Sequence, residues 1–274
     1  MAQPGSDTLF AGSIPELYDR LMVPMIFEPY ADDLARRLAE RSPQRVLETA
    51  AGTGAVTRAL LRALPADTEL VATDLNQPML DRAAAVGTSR PVTWRQADAM
   101  ALPFEDESFD AVVCQFGVMF FPDKAHALAE ARRVLRPGGA LLFNVWDRLE
   151  ENEFTHEVTM ALARLFPDDP PRFMARTPHG YHQWDAVLGD LSAAGFTAPR
   201  VAIDTVSAQS RAPSAREPAQ AFCHGTPLRN EIEARAATAS LAEATVASEE
   251  ALVRRFGTGP ITGKIQAHVV FVQK

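Results

Sequence analysis

Lysine is almost missing from this chain: among 274 residues it stands only at Lys124, Lys264 and Lys274. No basic block or Lys-rich tail exists, and 27 Lys+Arg against 35 Asp+Glu leave a formal charge of -8. Gripping a phosphate backbone requires a basic face, so a nucleic-acid partner is not expected. Cysteine is equally scarce. Cys114 and Cys223 lie far apart and in no CxxC spacing, which argues against a disulfide framework and a zinc site and predicts two buried free thiols. No apolar run approaches the roughly 20 residues of a membrane span. The start, "MAQPGSDTLF", has neither the basic nor the apolar segment of a secretory signal. These absences together lead to the expectation of a cytoplasmic protein with no membrane span.

What is present is an ordinary globular composition, 47% apolar and 23% charged, in a chain long enough for one large domain with a deep core. From Arg45 to Asp147 short β-rich runs alternate with runs of helical period, the rhythm of a parallel α/β sheet. The strands expected are "RVLETA", "ELVATDL", "VTWRQAD", "FDAVVCQFG" and "ALLFNVWD"; between them "AVTRALLRAL", "QPMLDRAAAV" and "DKAHALAEARRVL" read as helices. "RPGG" stops the last of these. Beyond Asp147, "EFTHEVTMALARLF" and "HQWDAVLGDLSAAGF" are expected as helices around a proline-punctuated loop, "PDDPPRFMARTPHG". Two more strands, "RVAIDTVS" and "KIQAHVVFV", flank the expected helices "LRNEIEARAATAS" and "SEEALVRRF". "PYADDLARRLAERS" is helical, with no repeat or low-complexity linker anywhere. The whole chain, 1–274, therefore reads as a single domain. Residues 1–43 are N-terminal cap helices and 44–147 the ligand-binding core; 148–180 and 211–260 are insertions, and 181–210 with 261–274 complete the sheet.

In such sheets ligands bind outside the carboxyl ends of the strands. Glu48 closes the first strand, and Ala50, Gly52 and Gly54 make the turn into the first helix, where glycine permits close backbone approach at a helix N-terminus. Asp74 ends the second strand about twenty residues later, where a carboxylate accepts hydrogen bonds from both ribose hydroxyls. Asp98 ends the third strand, within reach of an adenine amino group. Together they suit an adenosine. A dinucleotide fingerprint would need a third glycine at position 57, which is Thr57, and no GK[ST] follows for a phosphate loop.

With these residues in place, the chain resembles the class I S-adenosylmethionine-dependent methyltransferases, and within them the group related to the ubiquinone/menaquinone-biosynthesis enzymes. "VLETAAGTGAVTR" matches the first motif, "VATDLNQPML" the acidic motif, "QADAMALPFEDESFDAVVCQFGVMFFPD" the adenine and fourth-strand motifs, and "VLRPGGALLFNVWD" the segment after them. The resemblance implies a Rossmann-like seven-stranded mostly parallel sheet in the order 3-2-1-4-5-7-6, with helices on both faces and a helical cap. It implies S-adenosyl-L-methionine as cofactor and S-adenosyl-L-homocysteine as product. Carried over by position, Ala50 and Gly52 line the methionine, Asp74 with Leu75 holds the ribose, and Asp98 with Ala99 meets the adenine. Gln115 and Phe116 lie beneath the cofactor, Met79 joins its binding set, and Tyr18 in "ELYDR" closes over the methionine end. Ala50 departs from the family, whose commonest motif has glycine there. The insertions at 148–180 and 211–260 are placed to form a lid.

Methyl transfer from a sulfonium is an in-line displacement, so positioning and desolvation supply much of the catalysis and a base is needed only if the acceptor loses a proton. The expected partner is a small, partly apolar metabolite acting through O, C, N or S; oligomeric state is not legible. Phe27, Trp146, Phe173, His179 and Tyr181 are candidate pocket residues, with Phe154, Met174, His182, Trp184 and Phe222 also drawn from the capping segments. Each reads equally as packing. His224, in an expected loop within "FCHGTPLRN", is the candidate base. Arg229, Glu231 and Glu233 are expected on a solvated helix face. No residue cluster suggests a metal. The alternative is a protein that binds S-adenosylmethionine without transferring its methyl group, as a partner-activating subunit or a catalyst of another reaction.

Overall fold

The computed structural model describes residues 6–8, 10, 12–196 and 201–274. Seven strands, β1 (Arg45–Glu48), β2 (Glu69–Asp74), β3 (Thr93–Gln96), β4 (Phe109–Gln115), β5 (Leu135–Trp146), β6 (Val201–Ala212) and β7 (Ile261–Gln273), form one sheet in the order 3-2-1-4-5-7-6. The helices in chain order are α1 (Ile14–Leu17), a π-helix at Tyr18–Phe27, α2 (Glu28–Ala39), α3 (Ala55–Ala63), α4 (Gln77–Val86), α5 (Lys124–Val134), α6 (Glu153–Leu165), α7 (Phe173–Arg176), α8 (Trp184–Ala193), α9 (Arg216–His224), α10 (Leu228–Glu233) and α11 (Leu241–Phe256). Arg200, expected to open the sixth strand, lies outside the described residues.

Strands β1 to β5 pair in parallel, β1 lying between β2 and β4, while β7 runs antiparallel to β5 with Ala267 opposite Trp146. The amino-terminal half of β7 therefore meets the carboxyl end of β5. β1, β2 and β4 are buried almost throughout, as expected of parallel strands covered on both faces. The Pro-Gly-Gly signal ends α5 at Val134, but β5 starts at Leu135 rather than Ala140. Its pairing jumps from Phe109↔Leu135 to Ala111↔Ala140, so "RPGG" is a bulge inside the strand and not the gap before it.

The chain divides into two compact units, residues 28–146, 181–206 and 267–274 in one and 1–27, 147–180 and 207–266 in the other. In the first, α2 presents Ala31, Leu34, Ala35 and Leu38 at helical spacing to Leu60, Val46, Val113 and Leu142. The helix expected in an N-terminal cap is thus part of the sheet's own core. In the second unit α6 and α11 pair through Phe154 and Phe256, edge to face at 5.0 Å, and Arg255 bridges Glu153 and Glu157.

Several expectations for this second unit change. The proline-punctuated loop carries the short α7. "LRNEIEARAATAS" is helical only through Glu233, and "SEEALVRRF" is the second half of α11, which starts at Leu241 because Ser240 and Glu243 form a capping box. Helix α9 departs from the expectation: its buried face holds Pro218, Ala219, Ala221, Phe222 and Cys223, a weak periodic signal, and Pro218 reads as a breaker although a first turn tolerates it. Glu231 is not on a solvated face. It accepts the Arg172 and Phe173 N–H groups at the start of α7 and pairs with Arg176, which also holds Asp7.

Candidate active site

The turn after β1 is built from left-handed backbone: Ala50, Gly52 and Gly54 have φ of 52°, 55° and 83°. Glycine adopts this region freely, and a Cβ at Gly52 would meet only the Met79 Cε at 3.5 Å, so the turn is open for close approach by a ligand. Gly54 is packed tightly, a Cβ there lying 3.1 Å from the Trp94 ring and 3.2 Å from the Arg58 guanidinium.

Asp74 is buried at the end of β2. Its Oδ2 accepts the Gly52 N–H at 2.8 Å and its Oδ1 the Asn76 N–H at 2.8 Å. Oδ1 also takes the Asn76 side-chain amide at 3.4 Å, so Oδ2 retains a lone pair and Oδ1 presents a second acceptor position to an adjacent hydroxyl where that long contact gives way. Burial pushes the Asp74 carboxyl up, against the backbone hydrogen bonds from Asn76 and Gly52 that pull it down. Strand β3 stops at Gln96, two residues before Asp98, so Asp98 lies in the turn beyond the strand and not at its tip; its Oδ1 accepts the Met100 N–H. The Ala97 N–H bonds the Asp74 carbonyl at 3.0 Å and the Gln96 amide bonds the Leu75 carbonyl at 2.8 Å, which draws the two exits together.

Glu48 is buried at the end of β1, its Oε2 taking the Thr57 hydroxyl at 2.5 Å. Burial pushes its carboxyl up to about 8, opposed by Thr57 and the Arg58 charge. Thr57 occupies the place of the missing third glycine, and its hydroxyl ties the first turn of α3 to β1. Sequence reasoning saw only the absent glycine; the signal available was a hydroxyl one helical turn beyond a glycine turn that starts at an acid.

Gln115 and Phe116 stand at the carboxyl end of β4. The Phe116 ring is buried, stacked on Trp146 at 3.8 Å and 6°, with Tyr30 edge-on to both. Trp146, a candidate pocket residue, is thus packed in the sheet's own unit. Tyr181, also a candidate, donates to Asp190 at 2.6 Å beneath Lys124. Trp184 is largely exposed, edge-on to His268.

His182 lies in the sheet's own unit, and the remaining candidates from the capping segments belong to the second unit. Tyr18 lies in the π-helix and stacks on Phe27 at 5.0 Å. Phe154, Phe173, Met174 and Phe222 are buried. His179 Nδ1 donates to the Asp147 carbonyl at 2.8 Å. His224 is not in a loop: it ends α9, with Nε2 2.9 Å from the Thr245 hydroxyl, and burial holds its imidazole below the ordinary histidine value, helped by the Arg229 charge. Both cysteines are buried and free, their thiols pushed up to about 11 by burial. No metal-ligand cluster occurs among the described residues, nor is any helix there long and apolar enough to cross a membrane.

The family described as a methyltransferase domain matches residues 47–143. A ubiquinone/menaquinone biosynthesis C-methyltransferase, UbiE, of Dinoroseobacter shibae is 39% identical over 131 residues, 46% of this chain and 52% of that protein. The UbiE of Saccharophagus degradans is 30% identical over 169 residues, 57% of this chain and 68% of that protein. This chain belongs to the UbiE-like group of class I S-adenosylmethionine-dependent methyltransferases. It spans about half to two thirds of the length of the curated relatives it matches. The YcgJ protein from Bacillus subtilis has the same fold, with a TM-score of 0.54 and 20% identity over 90% of this chain and 98% of that one.

The cofactor of this UbiE-like methyltransferase family is S-adenosylmethionine, and the residues present fit it. The open backbone at Gly52 admits a ligand, and the Asp74 carboxylate, with a lone pair left on Oδ2, can accept from a hydroxyl. Thr57 fills the position where a dinucleotide site would need glycine.

Proposed function

We propose that the protein transfers the methyl group of S-adenosylmethionine to a small, partly apolar metabolite, with a carbon of a reduced quinone ring as the acceptor. The observation that carries the reading is Asp74 joined to the Gly52 N–H across the exits of β1 and β2, with Oδ2 still able to accept and Oδ1 holding the Asn76 side-chain amide only at 3.4 Å. The names of the relatives, ubiquinone/menaquinone C-methyltransferase and demethylmenaquinone methyltransferase, support a quinol acceptor. When bound, the cofactor supplies an electrophilic methyl on sulfur. The chain holds the adenosine through Asp74 and the turn beyond β3, and places the reacting end over the exits of β1 and β4. Methylation at carbon releases one proton from the acceptor ring. Residues 148–180 leave the sheet from the carboxyl end of β5, and 211–260 rejoin it through β7 at that same end, which supports reading them as a lid that excludes water. The protein acts in the cytoplasm.

The test is calorimetric titration with S-adenosylmethionine, S-adenosylhomocysteine and NAD, followed by mass spectrometry of a reduced 2-alkyl-1,4-naphthoquinone incubated with enzyme and cofactor. Binding of the first two ligands and a mass gain of one methyl are expected. Binding without methyl transfer to any of a broad acceptor panel would favour the non-methylating alternative, and binding of NAD alone would overturn the reading. His224→Ala is expected to leave the affinity for S-adenosylmethionine unchanged and to lower stability by about 1 kcal/mol, the ordinary worth of its bond to Thr245. Calorimetry and thermal denaturation read the two quantities.

A further inference from the structure

The strand order reverses between β1 and β4, and in an open parallel sheet the ligand crevice lies at such a reversal. Asp74 and the β3 exit take the β2 side of the turn after β1, where the proposed site receives the ribose and adenine. The methionine portion is left to the β1/β4 side. On that side both exit turns carry a side chain in left-handed backbone, Ala50 at φ 52° and Phe116 at φ 52°. A bulky residue persists there only when its surroundings over-determine it.

Two contacts do so. Asn144, fully buried on β5, accepts the Phe116 N–H on its Oδ1 at 2.9 Å. Its Nδ2 has no hydrogen-bond partner among the described residues, an unfavourable state for a buried amide, so the residue is explained by the acceptor it offers the turn. The second contact is at Gly117. A Cβ built there would lie 2.4 Å from the Ala50 Cβ and 2.7 Å from the Cys114 Sγ, well inside ordinary van der Waals separation. The Ala50 methyl occupies the space a side chain at position 117 would need.

We propose that Ala50 and Gly117 are a matched pair of positioning residues that sets the spacing between the β1 and β4 exit turns and thereby seats the methionine end of the cofactor. The proposal rests on the S-adenosylmethionine reading above. The Ala50 methyl is the stop, Gly117 the gap it fits, and Asn144 holds the gap in place. Pushing the two turns apart disturbs the methionine end while the adenosine contacts at Asp74, on the far side of β1, stay intact.

Calorimetry on the full chain with S-adenosylhomocysteine and with adenosine, which lacks the methionine portion, tests it in three variants. Gly117→Ala is expected to weaken S-adenosylhomocysteine at least thirtyfold and adenosine less than threefold. Ala50→Gly, which relaxes the left-handed backbone but removes the stop, weakens S-adenosylhomocysteine three- to tenfold and leaves adenosine unchanged. The double variant Ala50→Gly/Gly117→Ala recovers part of the loss in Gly117→Ala, at least threefold, because the added methyl replaces the deleted one while its 2.7 Å contact with the Cys114 Sγ persists. A double variant as weak as Gly117→Ala, or adenosine lost in parallel with S-adenosylhomocysteine, would overturn the pair. If Gly117→Ala does not fold, Ala50→Gly decides alone: equal effects on both ligands, or none on either, overturn it. A wild-type protein that binds neither S-adenosylmethionine nor S-adenosylhomocysteine is a different failure, that of the cofactor reading itself.

Discussion

Asp74→Ala lowers the affinity for S-adenosylmethionine at least a hundredfold in calorimetric titration. The carboxylate has two tasks. On the proposed reading it accepts from the ribose hydroxyls, Oδ1 exchanging its 3.4 Å contact with the Asn76 side-chain amide for one of them, and it accepts the Gly52 N–H and the Asn76 N–H, which fixes the turn after β1 against the exit of β2. Hydrogen bonds to a charged acceptor contribute about 1.5–3 kcal/mol each, and two of them lost on the ligand side correspond to more than a hundredfold in binding. Loosening of the Gly52 turn adds to this. Asp74→Asn keeps one acceptor oxygen and falls between the alanine variant and the wild type. Unchanged affinity in Asp74→Ala would remove the ribose assignment and, with it, the strongest link between this site and an adenosine cofactor.

Replacing Glu48 by Gln flattens the dependence of stability on pH between about 4.5 and 8. The buried Glu48 carboxyl, pushed up to about 8, stays protonated in the native state at pH values where the unfolded chain has already released that proton. Between the ordinary value of 4.5 and about 8 the unfolded state therefore binds fewer protons than the native one, and stability falls as pH rises. The contribution is fully present below 4.5 and fully lost above 8; across the window it is on the order of 5 kcal/mol. Chemical denaturation of wild type and Glu48→Gln at pH 5, 6.5 and 8 measures the difference in slope. Equal slopes would mean that Glu48 is ionised in the native protein at pH 5. A cationic ligand beside β1 favours the charged carboxylate. Titration of S-adenosylmethionine at pH 6.5 in two buffers of different ionisation enthalpy therefore shows proton release, and S-adenosylhomocysteine, without the sulfonium charge, shows less.

The part of the site legible in the sequence is the part in which neighbours in sequence are neighbours in space. Glu48, Ala50, Gly52 and Gly54 lie on one strand and its turn, and Asp74 ends the next strand, so spacing alone brings them together. The loop expected at His224 is a helix end for the opposite reason, its contacts being distant in sequence. "FCHG" contains a helix-stopping glycine, but Pro218 reads as a breaker inside α9, and the partner Thr245 lies in the half of α11 that precedes "SEEALVRRF". Glu231 was read as solvated because its helix is charged; its partners are backbone N–H groups of α7, to which no side-chain pattern points. The aromatic candidates were ambiguous from the start, and for Phe116 and Trp146 only the stacked geometry shows where the rings are directed.

By itself the sequence determined that this is a mostly parallel α/β sheet, and it marked the exits of the first three strands as the place proposed for an adenosine. Hydrophobic period sets the elements, and glycines and acids at strand ends mark where a ligand approaches. Only the tertiary structure decided which side chains meet across the sheet. The Thr57 hydroxyl on Glu48, the Asn144 amide on Phe116 and the Ala50 methyl against Gly117 each join residues of different elements or different turns. Periodicity reports that a residue is buried; its partner is set by register and packing, which exist only once the strands have aligned.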